Sequence, residues 1–148
     1  MTEKADIIER CTRFAWHVDH QEWQELRGLF TEKILVDYTS LNGGEPAHVA
    51  ADDIVGAWAG FLSGFDVTQH LITNQLVTVS GDTAVCTAAF QATHRLSSAA
   101  GGSLWTLGGD YRFELVRSDA GWLISAVTMT ATWGDGNQHL MTLAGGAG

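Results

Sequence analysis

The strongest constraint on this chain is a change of hydrophobic period near residue 68. From there to residue 133, apolar and polar side chains alternate over four long runs: 68–79, 83–96, 104–117 and 122–133. Period two is the pattern of half-buried strands. The runs are separated by "SGD", "SSAAGGS" and "SDAG", stretches rich in residues that tolerate tight reversals. Strands joined this closely pair antiparallel, because a parallel crossover needs a dozen or more residues. Upstream the period is that of a helix. Residues 5–18 space Ile7, Ile8, Cys11, Phe14, Ala15 and Val18 along one face. Residues 22–30 repeat the pattern with Trp23, Leu26, Leu29 and Phe30, and residues 51–65 with Ile54, Val55, Trp58, Phe61 and Leu62. "KILVDYTS" (33–40) reads as a strand. Helices followed by consecutive hairpins predict an α+β fold, an antiparallel sheet with helices packed on one face.

All 148 residues fit one domain. Its ordered core is expected over about 5–140, and "LAGGAG" (143–148) is expected to be a flexible tail. Only 17% of residues are charged, below the ~25% usual for a soluble domain. A chain so poor in charge encloses an apolar cavity, hides surface in an oligomer, or does both. The net charge of −9, with eight scattered basic residues, opposes binding to nucleic acid. No apolar run reaches the ~20 residues of a membrane helix. "MTEKADIIER" lacks the apolar core of an export signal. Cys11 and Cys86 are therefore expected as buried free thiols in a reducing cytoplasm.

The run 83–96 carries the first chemical hint. Its even positions are Ala84, Cys86, Ala88, Phe90, Ala92, His94 and Leu96, so the even face is buried and His94 lies on it. In the next run, Trp105, Leu107, Gly109, Tyr111, Phe113 and Leu115 share a face. Large aromatics mixed with Ala and Gly either pack closely or leave a hollow for a ligand. His70 has two possible places. If the "SGD" reversal centres on Gly81, His70 faces Ala92, diagonal to His94 and ~7–8 Å from it on the inner face. If Gly81 and Asp82 form a two-residue loop, His70 turns outward.

Asp19, in "HVDHQEW" (17–23), has two readings as well. On a continued helix it lies about 20° from Ile8 and 40° from Ala15 at ~100° per residue, pointing to the buried side. Asp19 and Glu22 also form a capping-box pattern for the following helix. An inward carboxylate beside a histidine would fix one imidazole tautomer and stabilise its cation.

The stretch "HVDHQEWQELRGLFTEKILVDYTS" resembles the same segment of scytalone dehydratase and related SnoaL-like proteins of the nuclear transport factor two-like superfamily. The matching features are an aspartate ending the first helix, a W-x-x-L-R helix and "VDYTS" on a strand. "TQH" and "THR" resemble the strand segments that carry that family's two histidines. "DAGWLI" and "TWGDGN" resemble its final strand. The resemblance implies a strongly curved sheet shaped as a cone-like half-barrel around an internal cavity. It implies a catalytic set of His70, Asp19, His94 and Tyr38. Val18 stands where the family has a second tyrosine, and Gly109 and Tyr111 stand where it has a serine and an asparagine that grip the substrate. Phe90, Trp105 and Trp133 would complete the substrate-binding wall with Val18, Gly109 and Tyr111. The proton-transfer set is present and the recognition set has changed.

The expected activity is a cofactor-independent lyase reaction, or a related isomerisation, on a small, largely apolar cyclic or aromatic substrate. His70 would remove a proton from carbon with Asp19 behind it. His94 would protonate a departing hydroxyl or hold the substrate. The alternative is a non-catalytic ligand-binding member of the same superfamily. No cofactor and no metal are expected: "SAAGGS" has no helix after it to make a dinucleotide fingerprint, and of His17, His20, His70 and His94, the ligands a metal enzyme would use, only His17 and His20 are spaced i, i+3, with no H-x-H pair on a strand and no third ligand fixed. An interaction subunit would leave the inward polar groups without a purpose. The expected partners are a hydrophobic small molecule and further copies of the chain, as a homodimer or homotrimer.

Overall fold

The computed structural model describes residues 2–97 and 100–147. The long helix α1 (Glu3–Asp19) is followed by the short α2 (Trp23–Arg27) and by strand β1 (Phe30–Asp37). One turn of helix, α3 (Thr39–Asn42), leads to β2 (Ala47–Ala50) and α4 (Ala51–Leu62). Four long strands come next: β3 (Val67–Ser80), β4 (Thr83–Arg95), β5 (Leu104–Ser118) and β6 (Gly121–Gly136). Helix α5 (Leu140–Ala147) ends the described chain. The strands form one curved, unclosed sheet in the order β2-β1-β6-β5-β4-β3. Neighbours pair antiparallel except β1 and β6, which run parallel.

The four runs of period two are the four long strands. The helix expected over 51–65 stops at Leu62, and three further differences bear on the site. The helix expected over 22–30 stops at Arg27, and Phe30 already begins β1, because the Leu29 carbonyl accepts from the Ile124 N–H at 2.8 Å and draws the chain into the sheet. At its other end β1 stops at Asp37, whose carboxylate accepts from the backbone N–H and hydroxyl of Thr39 and starts α3. Tyr38 therefore precedes a helix instead of continuing a strand. The expected tail 143–148 is instead part of α5 up to Ala147, with Leu140 and Ala144 fully buried. Its docking needs a glycine: a Cβ on Gly64 would lie 2.7 Å from the Ala144 carbonyl oxygen.

Helix α1 buries Ile7, Cys11, Phe14 and Val18 against the sheet. Phe14 sits edge-on to Phe30, Trp58, Tyr111 and Phe113, with ring centroids 5.4–6.2 Å apart. Each such pair contributes ~0.5–1.5 kcal/mol beyond area burial. Cys11 and Cys86 are buried and unbridged.

Strand register decides which side chains reach the concave face. Near the β3–β4 turn, Ser80 pairs with Thr83 around a two-residue loop. Continued unbroken, that register would turn His70 outward. A bulge intervenes between Thr73 and Leu76, with Asn74 in the left-handed region at φ 56°. Beyond it the register moves by one and His70 pairs with Ala92. The inner residues of β3 change parity at this point, from Val79, Val77 and Gln75 to Ile72, His70 and Thr68. The turn is thus the two-residue loop, and His70 faces inward, against that loop's register, because the bulge shifts the pairing by one.

Candidate active site

The concave face and the helices over it enclose a cavity of about 260 Å³. Tyr38, His70, His94 and Tyr111 are among its polar walls, and Phe14, Val18, Trp58, Phe90, Trp105 and Met129 are among its apolar ones. Asp19 ends α1 directly over β3. The His70 Nδ1–H donates to Asp19 Oδ1 at 2.7 Å, and the His70 backbone N–H donates to Oδ2 at 2.7 Å. The Thr68 hydroxyl donates to Oδ1 at 3.2 Å. Because a carboxylate only accepts, His70 holds its proton on Nδ1 and presents Nε2 to the cavity. The capping reading of Asp19 is not realised: α2 has no side-chain cap, and Glu22 instead accepts from His17 Nδ1 at 3.1 Å.

His94 lies on the next strand, its ring centroid 6.0 Å from that of His70. Its Nδ1–H donates to the Trp105 carbonyl at 3.1 Å, which again leaves Nε2 unprotonated. Burial lowers its pKa to about 4 against the support of that carbonyl. His94 is therefore neutral at neutral pH, an acceptor without a proton to give. Tyr38 and Tyr111 reach the same space from different elements, and their hydroxyls interact with each other. Burial raises both, Tyr38 well above the usual phenol value and Tyr111 to about 12. Both are thus O–H donors across the physiological range.

Of the expected site residues, His70, Asp19, His94 and Tyr38 converge, and Val18, Phe90, Trp105 and Tyr111 line the cavity beside them. Two expected wall residues do not belong to it. Trp133 is 46% exposed on the outer face. A bulge between Ala131 and Trp133 shifts the parity of β6, and the Trp133 ring covers Gly108 there, where a Cβ would lie 2.2 Å away. Gly109 sits at the same irregularity, and its missing side chain makes room for the Thr130 carbonyl, 1.9 Å from where a Cβ would be. Its role is backbone packing. Residues not anticipated include Thr68 behind Asp19, and Leu41, Asn42 and Met141, which close the cavity from α3 and α5. Thr68 was detectable as the inward neighbour of His70 two residues away. Leu41 and Met141 lie on elements without a readable period. His17 and His20 stay at the helix junction, the latter stacked on Trp16. Among the described residues no three His, Cys, Asp or Glu side chains converge as a metal site.

The SnoaL-like domain profile matches residues 1–128. No curated protein matches the chain. Among solved structures, the Kfla4162 protein from Kribbella flavida is 33% identical, with a TM-score of 0.89 over 95% of this chain and 97% of that one. A candidate scytalone dehydratase from Novosphingobium aromaticivorans is 23% identical, with a TM-score of 0.76 over 89% of this chain and 85% of that one. The hexachlorocyclohexane dehydrochlorinase LinA-type3 from Novosphingobium barchaimii is 17% identical, with a TM-score of 0.72 over 90% of this chain and 89% of that one. The last two are similar in fold.

Proposed function

The chain belongs to the SnoaL-like domain family, and within it we propose a cofactor-independent lyase, a dehydratase or a related elimination or isomerisation enzyme. Its substrate is a small, largely apolar, uncharged cyclic or aromatic compound. One observation carries this reading: an imidazole whose Nδ1–H is held by a buried carboxylate at 2.7 Å, with Nε2 facing an apolar cavity. That is the arrangement of a positioned general base. The names of two similar folds, a candidate dehydratase and a dehydrochlorinase, agree with elimination.

The step follows from the proton inventory. His70 Nε2 takes a proton from carbon, the C–H electron pair becomes the new C=C bond, and the leaving oxygen departs with its own bonding pair. Asp19 stabilises the imidazolium that forms. His94 carries no spare proton at neutral pH, so the proton on His70 goes to the departing hydroxyl and leaves as water. In an isomerisation it would return to a second carbon. His94 Nε2 accepts a hydrogen bond from a substrate hydroxyl. Tyr38 and Tyr111 donate to a carbonyl whose oxygen gains charge as the proton leaves. A dry cavity of ~150 Å³ takes a benzene, so one of about 260 Å³ suits one to two fused rings. The lining has no Lys or Arg, which disfavours an anionic substrate.

The test is a panel of neutral cyclic β-hydroxy ketones, with formation of the conjugated enone followed by absorbance. The expected result is turnover by the wild-type protein and a loss of ~10²–10⁴-fold in His70→Ala. Equal turnover by His70→Ala would sink the assignment of the base. Tight binding of the panel with no turnover at all would leave the non-catalytic ligand-binding member as the reading.

A further inference from the structure

The active-site cavity does not end at Trp105. A second cavity of about 290 Å³ begins on the far side of the indole. Leu41, Trp105 and Leu107 line both spaces. These three side chains are common to the two spaces, and Gly134, Asp135, Gly136 and Gln138 line the outer one beyond them. We propose that this outer compartment is a second subsite, which takes a neutral hydroxyl- or carbonyl-bearing extension of the ligand whose ring part occupies the inner cavity. The proposal rests on the inner cavity being a ligand site.

The sheet itself makes the opening. β1 leaves the side of β6 at Asp37, paired with Thr128, while β6 runs on to Gly136. Past Thr128 that side is flanked by α3, tied down where the Ser40 hydroxyl donates to the Met129 carbonyl and accepts from the Ala131 N–H, both at 2.9 Å. Among the described residues no strand accompanies β6 on that side beyond the tie. The bulge after Ala131 turns Gly134 and Gly136 toward the concave side, as partners of Leu107 and Trp105. The wall is therefore bare at these two positions.

A polar group is aimed into the gap. A Cβ on Gly134 would lie 3.6 Å from Trp105 Nε1, so the indole N–H rests over the bare glycine. No described residue accepts from it, and the nitrogen is not sealed from the cavity. An indole N–H at such a place calls for an acceptor. The outer lining contains no Lys or Arg and one carboxylate, Asp135, which excludes an anionic acceptor and makes a neutral one the fit; Asp135 can accept from a hydroxyl, and the Gln138 amide can bond one in either sense. The chemical class that results is a one- or two-ring apolar body with a hydroxyl or carbonyl on a short arm.

The test compares 2-naphthol with 6-(hydroxymethyl)-2-naphthol by isothermal titration calorimetry. The arm is expected to tighten binding to the wild-type protein by about threefold to tenfold, the return of one neutral hydrogen bond. Gly134→Val places a branched side chain over the indole N–H, at a position whose backbone is outside the left-handed region. It is expected to abolish the advantage of the arm while changing 2-naphthol affinity less than twofold. Gln138→Ala, at an exposed position, is expected to halve the advantage or more, and it reports even if the valine variant does not fold. Equal affinities for the two naphthols, or an advantage that survives both variants, would overturn the subsite and leave the inner site standing. Failure of either naphthol to bind would overturn the inner cavity as a ligand site, and the subsite with it.

Discussion

Asp19 accepts three hydrogen bonds, and only one comes from the imidazole it serves. The other two hold the carboxylate still, one from the backbone of β3 and one from Thr68. A charge-assisted bond of this kind contributes ~1.5 kcal/mol or more. Thr68→Val should keep the fold and the cavity, lower kcat about threefold to tenfold and leave KM within about twofold, and Thr68→Ser should restore kcat. Steady-state kinetics with the melting temperature as control would check this. An equal fall in Tm for both variants, without the kinetic split, would reduce Thr68 to packing. His94 supports a prediction about stability. Its folded-state pKa, about 4, lies below the ~6.5 of a free imidazole. The unfolded chain therefore takes up the proton first as pH falls. Stability contributed at this site is intact above pH 6.5, is lost between 6.5 and 4, and changes little below. The loss amounts to roughly 3 kcal/mol at ~1.4 kcal/mol per pH unit. Over pH 7 to 4.5 the urea midpoint of the wild type should fall more steeply than that of His94→Asn, because the asparagine does not titrate.

At the scale of elements, the site depends on strand parity. The long strands are legible because alternation and turn residues coincide, and His94 follows directly from the even face of β4. His70 does not, since its face depends on a single extra residue in β3. Asn74 supplies it in a left-handed conformation, which asparagine tolerates better than most residues. Asn74→Gly is expected to preserve activity and stability. Asn74→Val is expected to cost about 1–2 kcal/mol, from a branched side chain at positive φ, and to lower activity further where the strand slips and His70 turns outward. The pair of variants, compared by urea denaturation and turnover, separates the bulge from the asparagine side chain. The same physics hid the side of Trp133: alternation carried forward from Met129 and Ala131 places it inside, and one bulge places it outside. α3 and β2, four residues each, are too short to show a period. α5 is obscured by its glycine-rich sequence, and the room for its packing comes from Gly64 on the facing segment.

On the whole molecule, the shortage of charge has two destinations. Part goes to the cavity, as argued above. The rest lies on the outer face of the sheet, where Val67, Leu71, Leu104 and Trp133 are each about half exposed, at 46–59%. The register sets Leu71, Gln91, Gly108 and Trp133 in one row across four strands. Gly108 has no side chain and Trp133 lies flat over it, so the row is low and largely apolar, with Gln91 its one polar member. Isolated exposed apolar residues need no explanation, but a contiguous band on a sheet face does. A second copy of the chain is the occupant that fits, because a two-fold axis through such a band sets it against itself without bringing clustered like charges together. The chain is therefore predicted to run as a homodimer or homotrimer in size-exclusion chromatography with light scattering. Trp133→Glu, which buries no charge in the monomer and lies outside the cavity lining, should shift it to monomer at micromolar concentration with the Tm of the isolated fold retained. A wild-type protein already monomeric at ~100 μM, far above the range of specific oligomers, would mean that the band has no partner copy.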